Sequence, residues 1–389
     1  MPHESIIFSI FLIFTGAAVL AALALFARQS LLVAYILLGG IVGPWGLQLV
    51  NDPEIIQEIG HIGIIFLLFL LGLNLQPAQL VRMLREAIVV TAVSSMVFGA
   101  TGFLISKAFG FNLHESLIIG SVMMFSSTII GLKLLPTTAL HHRHTGQVMI
   151  SILLLQDIIA IGILLLLEGF SQSGMEWEQV GTLTLSLPML VIFSLLFERY
   201  ILQRLIQRFD TIQEYIFLTS IGWCLGMAQL AELLGLSYEI GAFIAGVALA
   251  TNPIALFIAE SFKPLRDFFL IMFFFSLGAG FNINILPEVI LPASIIALLM
   301  LVCKPVVFSW LLKKSGEVGG LPNEVGVRLG QVSEFSLMIA VLALSTGAIS
   351  AKASYLIQTT TLITFIVSSY LIMLSYPTPI AVSDRLRKD

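Results

Sequence analysis

One carboxylate lies in the middle of an apolar stretch of the sequence. Asp157 follows Gln156 within residues 153–160, whose other members are all apolar. A charge at the centre of a bilayer costs at least ~2.5 kcal/mol, so an ionisable residue retained there indicates a function. A buried carboxylate can exchange a proton for a cation, and the Gln156 carbonyl is an oxygen of the kind that hard cations bind. We interpret Asp157 and Gln156 as the centre of a cation and proton site; the alternative is a structural ion pair.

Three consecutive hydroxyl residues, Ser126, Ser127 and Thr128, occupy a second apolar stretch. Hydroxyls can replace backbone partners where a helix unwinds, so this stretch is a candidate helix interruption that lines a cation site. The alternative is that they bond to carbonyls of their own helix or serve helix packing. A matching stretch contains Ser333 and Glu334, and Glu334 would either collect cations or brace the interruption.

Two further ionisable residues complete the candidate site. Lys304, followed by Pro305, lies in the middle of its apolar stretch. An ammonium there must find an anion or lose its proton, and Asp157, the deepest carboxylate, is its expected charge partner. Glu239 lies at the end of a stretch, where it either lines an outer funnel or simply meets water. The only bound metal we expect is K+ or Na+ on Asp157, and we expect no cofactor or catalytic residue.

The composition requires a membrane to position these residues. Of 389 residues, 58% are hydrophobic and 11% are charged, against about 25% charged in soluble domains. A soluble enzyme is therefore excluded, and a net charge of −4 offers no basic surface to nucleic acid. At ~20 residues per crossing, the apolar stretches predict thirteen transmembrane helices. They cover residues 5–26, 31–48, 59–75, 87–109, 117–136, 148–168, 182–198, 215–232, 238–258, 267–283, 289–312, 326–346 and 355–376.

The basic residues predict the orientation of the chain. With thirteen spans the termini lie on opposite sides of the membrane. If the N-terminus is outside, fifteen of the nineteen Lys and Arg fall inside and two outside. Because inside loops carry the excess of basic residues, we predict an outside N-terminus and a cytoplasmic C-terminus, in the inner membrane of a prokaryote.

The two halves of the chain show related patterns. Residues 64–75 match residues 272–283 at an offset of 208, and residues 120–126 match residues 330–336 at an offset of 210. Matched spans differ by seven in number, so they cross the membrane in opposite directions. We predict two inverted six-helix repeats in which spans 5 and 12 are crossed discontinuous helices. Inverted repeats of this kind indicate alternating-access transport with a site near the midplane.

Taken in order, the motifs resemble the cation:proton antiporter-2 family, and the Gln156–Asp157 pair is similar to its Kef-type potassium/proton antiporters. The other motifs are Ser126 to Thr128, residues 235–246, and Ser333 to Phe335. The resemblance implies a homodimer with elevator-like movement of the part that carries Asp157. It implies a dimerisation scaffold of residues 1–83 and 214–286, an ion-translocating core of residues 87–170 and 289–376, and a linker helix at 180–210.

Many Kef-type proteins continue into a nucleotide-binding regulatory domain, and we expect none within residues 1–389. A cytoplasmic regulatory domain or subunit is expected only if the chain is part of a longer protein. The function expected is K+/H+ exchange, electroneutral because one carboxylate offers one charge. A Na+/H+ antiporter of the same fold is the alternative. From other classes, an efflux channel lacks a recognisable filter, an aspartyl enzyme needs two facing carboxylates, and a non-transporting sensor stays open.

Overall fold

The structure is a computed structural model that describes residues 6–27, 29, 31–50, 53–74, 77–133, 144–171, 177–209, 211–236 and 238–378. Its regular elements are helices, which confirms the expected all-helical class. In chain order they are α1 (Ile6–Phe26), α2 (Leu31–Val42), α3 (Pro53–Asn74), α4 (Pro77–Ala108), α5 (Leu113–Met123), α6 (Thr128–Lys133), α7 (His144–Ser171), α8 (Trp177–Phe197), a π-helical turn (Glu198–Leu202), α9 (Gln203–Arg208), α10 (Gln213–Leu233), α11 (Tyr238–Leu249), α12 (Ala255–Ala279), a 3-10 turn (Ile283–Ile285), α13 (Leu286–Lys314), α14 (Leu321–Arg328), α15 (Glu334–Ser345) and α16 (Ala351–Ser375).

Within the described ranges, six helical segments are long and apolar enough to cross a membrane. Shorter apolar helices include α2, α5 and α15, each of which is too short to span a bilayer alone. The chain is therefore polytopic, while the count of thirteen spans and the inverted repeats stay predictions. The six long segments are Ile6–Phe26, Ala87–Ala108, Leu185–Arg208, Gln213–Leu233, Ile283–Lys314 and Ala351–Ser375.

Two helices are interrupted at the positions where the sequence predicted discontinuous spans. The first interruption, residues 124–127, separates α5 from α6, and the second, residues 329–333, separates α14 from α15. A serine hydroxyl then starts each following helix. Ser127 Oγ accepts from Ile130 N at 3.1 Å, and Ser333 Oγ accepts from Phe335 N at 3.2 Å. These capping bonds replace partners that a helix start lacks.

The chain divides into two compact units. Unit 1 comprises residues 1–17, 35–82 and 165–280. Within it α11 and α12 pack on α3, and Phe66, Phe69 and Phe262 contribute to its buried core. Unit 2 comprises residues 18–34, 83–164 and 281–389. Within it α13 packs against α14 and α16, and both interruptions belong to it. The scaffold and core boundaries given above stay predictions.

Gly120 lets α5, which leads into the first interruption, pack closely against α4. A Cβ added at Gly120 would meet Gly99 O at 2.6 Å and Phe103 N at 3.1 Å. Both are main-chain atoms, so no side-chain rotation relieves the clash. The absence of a side chain at this position therefore helps to place residues 124–127.

We predict that Gly120→Ala lowers stability by about 1–3 kcal/mol, the usual cost of overpacking. Gly162→Ala is the control, because a Cβ at that helical glycine meets nothing within 4 Å. The control should be neutral or stabilising, since alanine is the better helix former. The measurement is thermal unfolding of the purified protein in detergent. Equal unfolding midpoints for the two variants would contradict close α4–α5 packing.

Candidate ion-binding site

The side chain of Gln156, from α7, holds the first interruption. Its Nε2 donates to Met124 O and its Oε1 accepts from Ser126 N, both at 3.0 Å. Gln156 is fully buried, so these bonds satisfy an amide and two main-chain groups that have no water to replace them. The structure therefore brings Gln156 and the hydroxyl stretch together. Both ends of the Gln156 amide are hydrogen-bonded to the main chain, so this side chain stabilises the interruption.

Asp157 lies on the same helix, next to the start of α6. Its side chain is 2% exposed, and its Oδ2 accepts a hydrogen bond from Thr128 Oγ1 at 3.3 Å. Thr128 thus contacts the carboxylate, whereas Ser126 and Ser127 bond to other groups. A buried carboxylate with a hydroxyl partner supplies two of the oxygen types that bind monovalent cations.

The ammonium of Lys304, from α13, lies between the two interruptions. Its Nζ donates to Phe125 O at 2.5 Å, to Gln331 O at 3.1 Å and to Ser126 Oγ at 3.3 Å. The two carbonyls come one from each interruption, where the helix leaves carbonyls without intrahelical partners. Phe98 covers the same group, with Nζ 5.3 Å from the ring centroid.

The expected pairing of Lys304 with Asp157 stays a prediction, and the described structure gives the ammonium other partners. Among the ion pairs of the described residues, none joins these two side chains. The reason is geometric. The carbonyls of Phe125 and Gln331 attract the ammonium to the region between the interruptions, while the Asp157 carboxylate faces Thr128. Lys304 therefore acts on the backbone of the site in this conformation.

Two hydrogen bonds join the interruptions directly to each other. Ser126 Oγ donates to Leu329 O at 2.9 Å, and Gln331 Nε2 donates to Ser127 O at 3.3 Å. Together with Lys304, these bonds make the two interruptions one connected group of polar atoms in an otherwise apolar interior. All four side chains involved, counting that of Ser127, are fully buried.

Gln331 is a residue of this group that the sequence interpretation did not assign. Its Oε1 accepts from Ser368 Oγ of α16 at 2.8 Å, and Val332 N donates to Thr364 Oγ1 at 3.1 Å. The sequence did carry a signal for α16, because Thr360, Thr364 and Ser368 recur every fourth residue along this span. Residues at that spacing share one face of a helix.

The remaining candidate residues of the sequence analysis are Ser333, Glu334 and Glu239. Ser333 caps α15, so its hydroxyl is committed to Phe335 N. Glu334 is 3% exposed in the first turn of α15, directly after the second interruption. The side chain of Glu239 lies outside the described part of the structure. Nearby, Ser336 Oγ donates to Val122 O at 2.6 Å and links α15 to α5.

The chemistry available here is that of a hard monovalent cation. The grouped atoms are main-chain carbonyls, hydroxyls, the amides of Gln156 and Gln331 and the Asp157 carboxylate, and such oxygens replace a hydration shell. Within the described residues, no group of three or more His, Cys, Asp and Glu side chains could hold a metal ion. The arrangement therefore fits an exchanged ion better than a permanently bound transition metal.

A polytopic helical fold whose two interrupted helices meet beside a buried carboxylate defines the class of membrane transporters with discontinuous helices. The sequence pattern described as sodium/hydrogen exchanger, transmembrane, matches residues 10–373. The chain belongs to this family.

Similar proteins confirm the Kef-type resemblance. The chain is 30% identical over 353 residues to the glutathione-regulated potassium-efflux system protein KefC of Cronobacter sakazakii, covering 88% of this chain and 56% of that protein. It is 29% identical over 364 residues to K(+) efflux antiporter 4 of Arabidopsis thaliana, covering 90% of this chain and 60% of that protein. The chain thus spans about three fifths of these relatives.

A solved structure has the same fold. The sodium proton antiporter MjNhaP1 of Methanocaldococcus jannaschii superposes with a TM-score of 0.72. The match covers 94% of this chain and 97% of the other, at 18% sequence identity.

We predict that Gln156→Met destabilises the protein by about 2–4 kcal/mol, because it leaves Met124 O and Ser126 N buried without their partner. Gln147→Met on the same helix is the control, since its side chain is exposed. Thermal unfolding in detergent compares the two. If Gln156→Met has the same unfolding midpoint as the control variant, the Gln156 amide does not stabilise the interruption.

Proposed function

We propose that the chain is a monovalent cation/proton antiporter that exchanges K+ for H+. One observation carries the proposal: the buried carboxylate of Asp157 lies beside an interruption rich in neutral oxygens. Family membership supports cation/proton exchange, and the names of the Kef-type relatives support K+. Those relatives are named as transporters, which supports a protein that is not an enzyme.

In the proposed cycle, Asp157 binds a proton and a cation alternately. When the proton leaves, the carboxylate and Thr128 provide the first oxygens for the cation, and carbonyls of the interruption provide others after small rearrangements. Gln156 holds those carbonyls in place through its two backbone bonds. Lys304 keeps the two interruptions together, and its charge balances carbonyl oxygens that face the same interior.

The larger architecture of the proposal follows the resemblance. Thirteen spans form two inverted repeats with crossed interruptions, and an elevator-like movement exposes the site to each side in turn. The protein is a homodimer, with residues 1–83 and 214–286 as scaffold and residues 87–170 and 289–376 as the moving core. It lies in a prokaryotic inner membrane with its C-terminus in the cytoplasm, where a regulatory domain or subunit would act if the chain belongs to a longer protein.

The competing ion is Na+, because the fold also occurs in a sodium proton antiporter. The oxygen types of the site do not distinguish K+ from Na+, so the ion is identified by measuring cation-dependent proton movement. The chain is reconstituted in vesicles and proton movement is followed by a pH-sensitive dye with K+, Na+, Rb+ and Li+ in turn. The proposal expects the largest response with K+. A response confined to Na+ would make the chain a Na+/H+ antiporter.

We predict that Asp157→Asn abolishes cation-dependent proton movement, because asparagine neither releases a proton nor carries a charge. Asp267→Asn is the control, since that carboxylate is exposed and pairs with the adjacent Arg266. The dye assay in vesicles compares both variants with the original protein at equal amounts. Retained flux in Asp157→Asn would exclude this carboxylate as the exchange site.

We predict electroneutral exchange, because one carboxylate binds either one proton or one monovalent cation. Turnover should therefore leave the membrane potential unchanged. Initial rates are measured with the potential clamped at several values by valinomycin in K+ buffers, alongside a recording of current on solid-supported membranes. A current that reverses with the ion gradient would require a second coupled charge.

A further inference from the structure

Helix α16 holds the second interruption with hydroxyls on one face. Thr364 Oγ1 accepts from Val332 N at 3.1 Å, and Ser368 Oγ donates to Gln331 Oε1 at 2.8 Å. The two hydroxyl residues are four apart, and both are buried. They therefore act on two consecutive residues of the interruption, which no water can reach.

The side chain of Gln331 is fixed at both ends. Its Oε1 is bound by Ser368 and its Nε2 donates to Ser127 O, in the first interruption, at 3.3 Å. Because a main-chain carbonyl only accepts hydrogen bonds, Ser127 O requires the NH2 end of the carboxamide, and the Ser368 hydroxyl holds the opposite end by donating to Oε1. The fully buried side chain of Gln331 thus constrains the distance between the two interruptions.

The main chain of the same residue faces a cationic group. Gln331 O accepts from Lys304 Nζ at 3.1 Å, and Phe125 O of the other interruption accepts from the same atom. The two interruptions thus direct carbonyls at the same nitrogen atom. Selection among cations by carbonyl oxygens depends on how many oxygens converge and how firmly they are positioned. A residue that fixes the distance between the interruptions therefore fixes the relative placement of these carbonyls.

We propose that Gln331, held by Ser368 of α16, is a positioning residue that determines the cation selectivity of the site. The inference rests on the proposed antiport and adds a residue pair outside the set around Asp157. Loss of the Ser368 hydroxyl leaves Gln331 Oε1 buried without its donor, so the carboxamide is no longer held at both ends and its bond to Ser127 O is no longer fixed in length. The interruptions then separate, and the carbonyls no longer fit the preferred ion.

The test compares Ser368→Ala with Ser369→Ala. Ser369 is the adjacent buried serine, but its hydroxyl donates to Phe365 O of its own helix at 2.8 Å. For Ser368→Ala we expect a three- to tenfold higher KM for K+, turnover within twofold of the original, and a similar loss of preference for K+ over Na+. Ser369→Ala should keep the original values. Ser368→Thr retains the hydroxyl and should restore them.

Each result decides the proposal. Unchanged KM and selectivity in Ser368→Ala, with the original protein active, overturn this inference and leave the antiport standing. An equal change in Ser369→Ala also overturns it, because the effect would then be general to α16. If the original protein shows no cation-dependent proton movement, the antiport fails and this inference falls with it.

Where Ser368→Ala does not fold, Gln331→Asn replaces it, since the shorter carboxamide cannot reach Ser127 and Ser368 together. The same rise in KM is expected, and an unchanged KM overturns the proposal.

Discussion

The site depends on satisfying the main-chain groups that two helix interruptions leave in an apolar interior. A carbonyl or amide without a partner in such surroundings costs several kcal/mol, so an interruption persists only where side chains replace the lost helical bonds. Three long side chains do most of this. Gln156 forms hydrogen bonds with Met124 O and Ser126 N, and Gln331 donates one to Ser127 O. Lys304 donates to one carbonyl of each interruption. The result is an unwound, oxygen-rich segment beside Asp157.

This requirement explains how Lys304 is buried although none of the ion pairs of the described residues includes it. An ammonium has three donors, and here three oxygens accept from it. Carbonyls at the C-terminal ends of helices carry partial negative charge, so they stabilise the cation as an anion would, only more weakly. The carboxylate of Asp157 is left available for the exchanged ion and proton. Separate partners for Lys304 and Asp157 thus serve both the fold and the proposed chemistry.

The sequence predicted the helical class, the two interruptions and the burial of Gln156 and Asp157, because apolar length and mid-span polar residues are local signals. The pairing of Lys304 with Asp157 that it suggested is not among the ion pairs of the described residues. That pairing was inferred from depth alone, whereas the partner depends on where two unwound backbones meet, which no local pattern specifies. Gln331 was not predicted for the same reason. A glutamine in a short polar stretch has no local pattern that distinguishes it from a loop residue, and its two hydrogen-bond partners lie 204 residues before and 37 residues after it.

The same reasoning separates the roles of the two buried glutamines. Gln156 binds two groups of one interruption, so it stabilises a local loop shape and its loss should be felt mainly as lost stability. Gln331 bonds across from one interruption to the other, so it governs a distance between segments far apart in the sequence. The free energy of unfolding depends on whether the bond between Gln331 and Ser127 forms, whereas the ion preference depends on the distance that this bond sets between the interruptions. A fold can therefore keep its stability while one methylene in this bridge changes which cation fits, since oxygen positions decide ion selectivity.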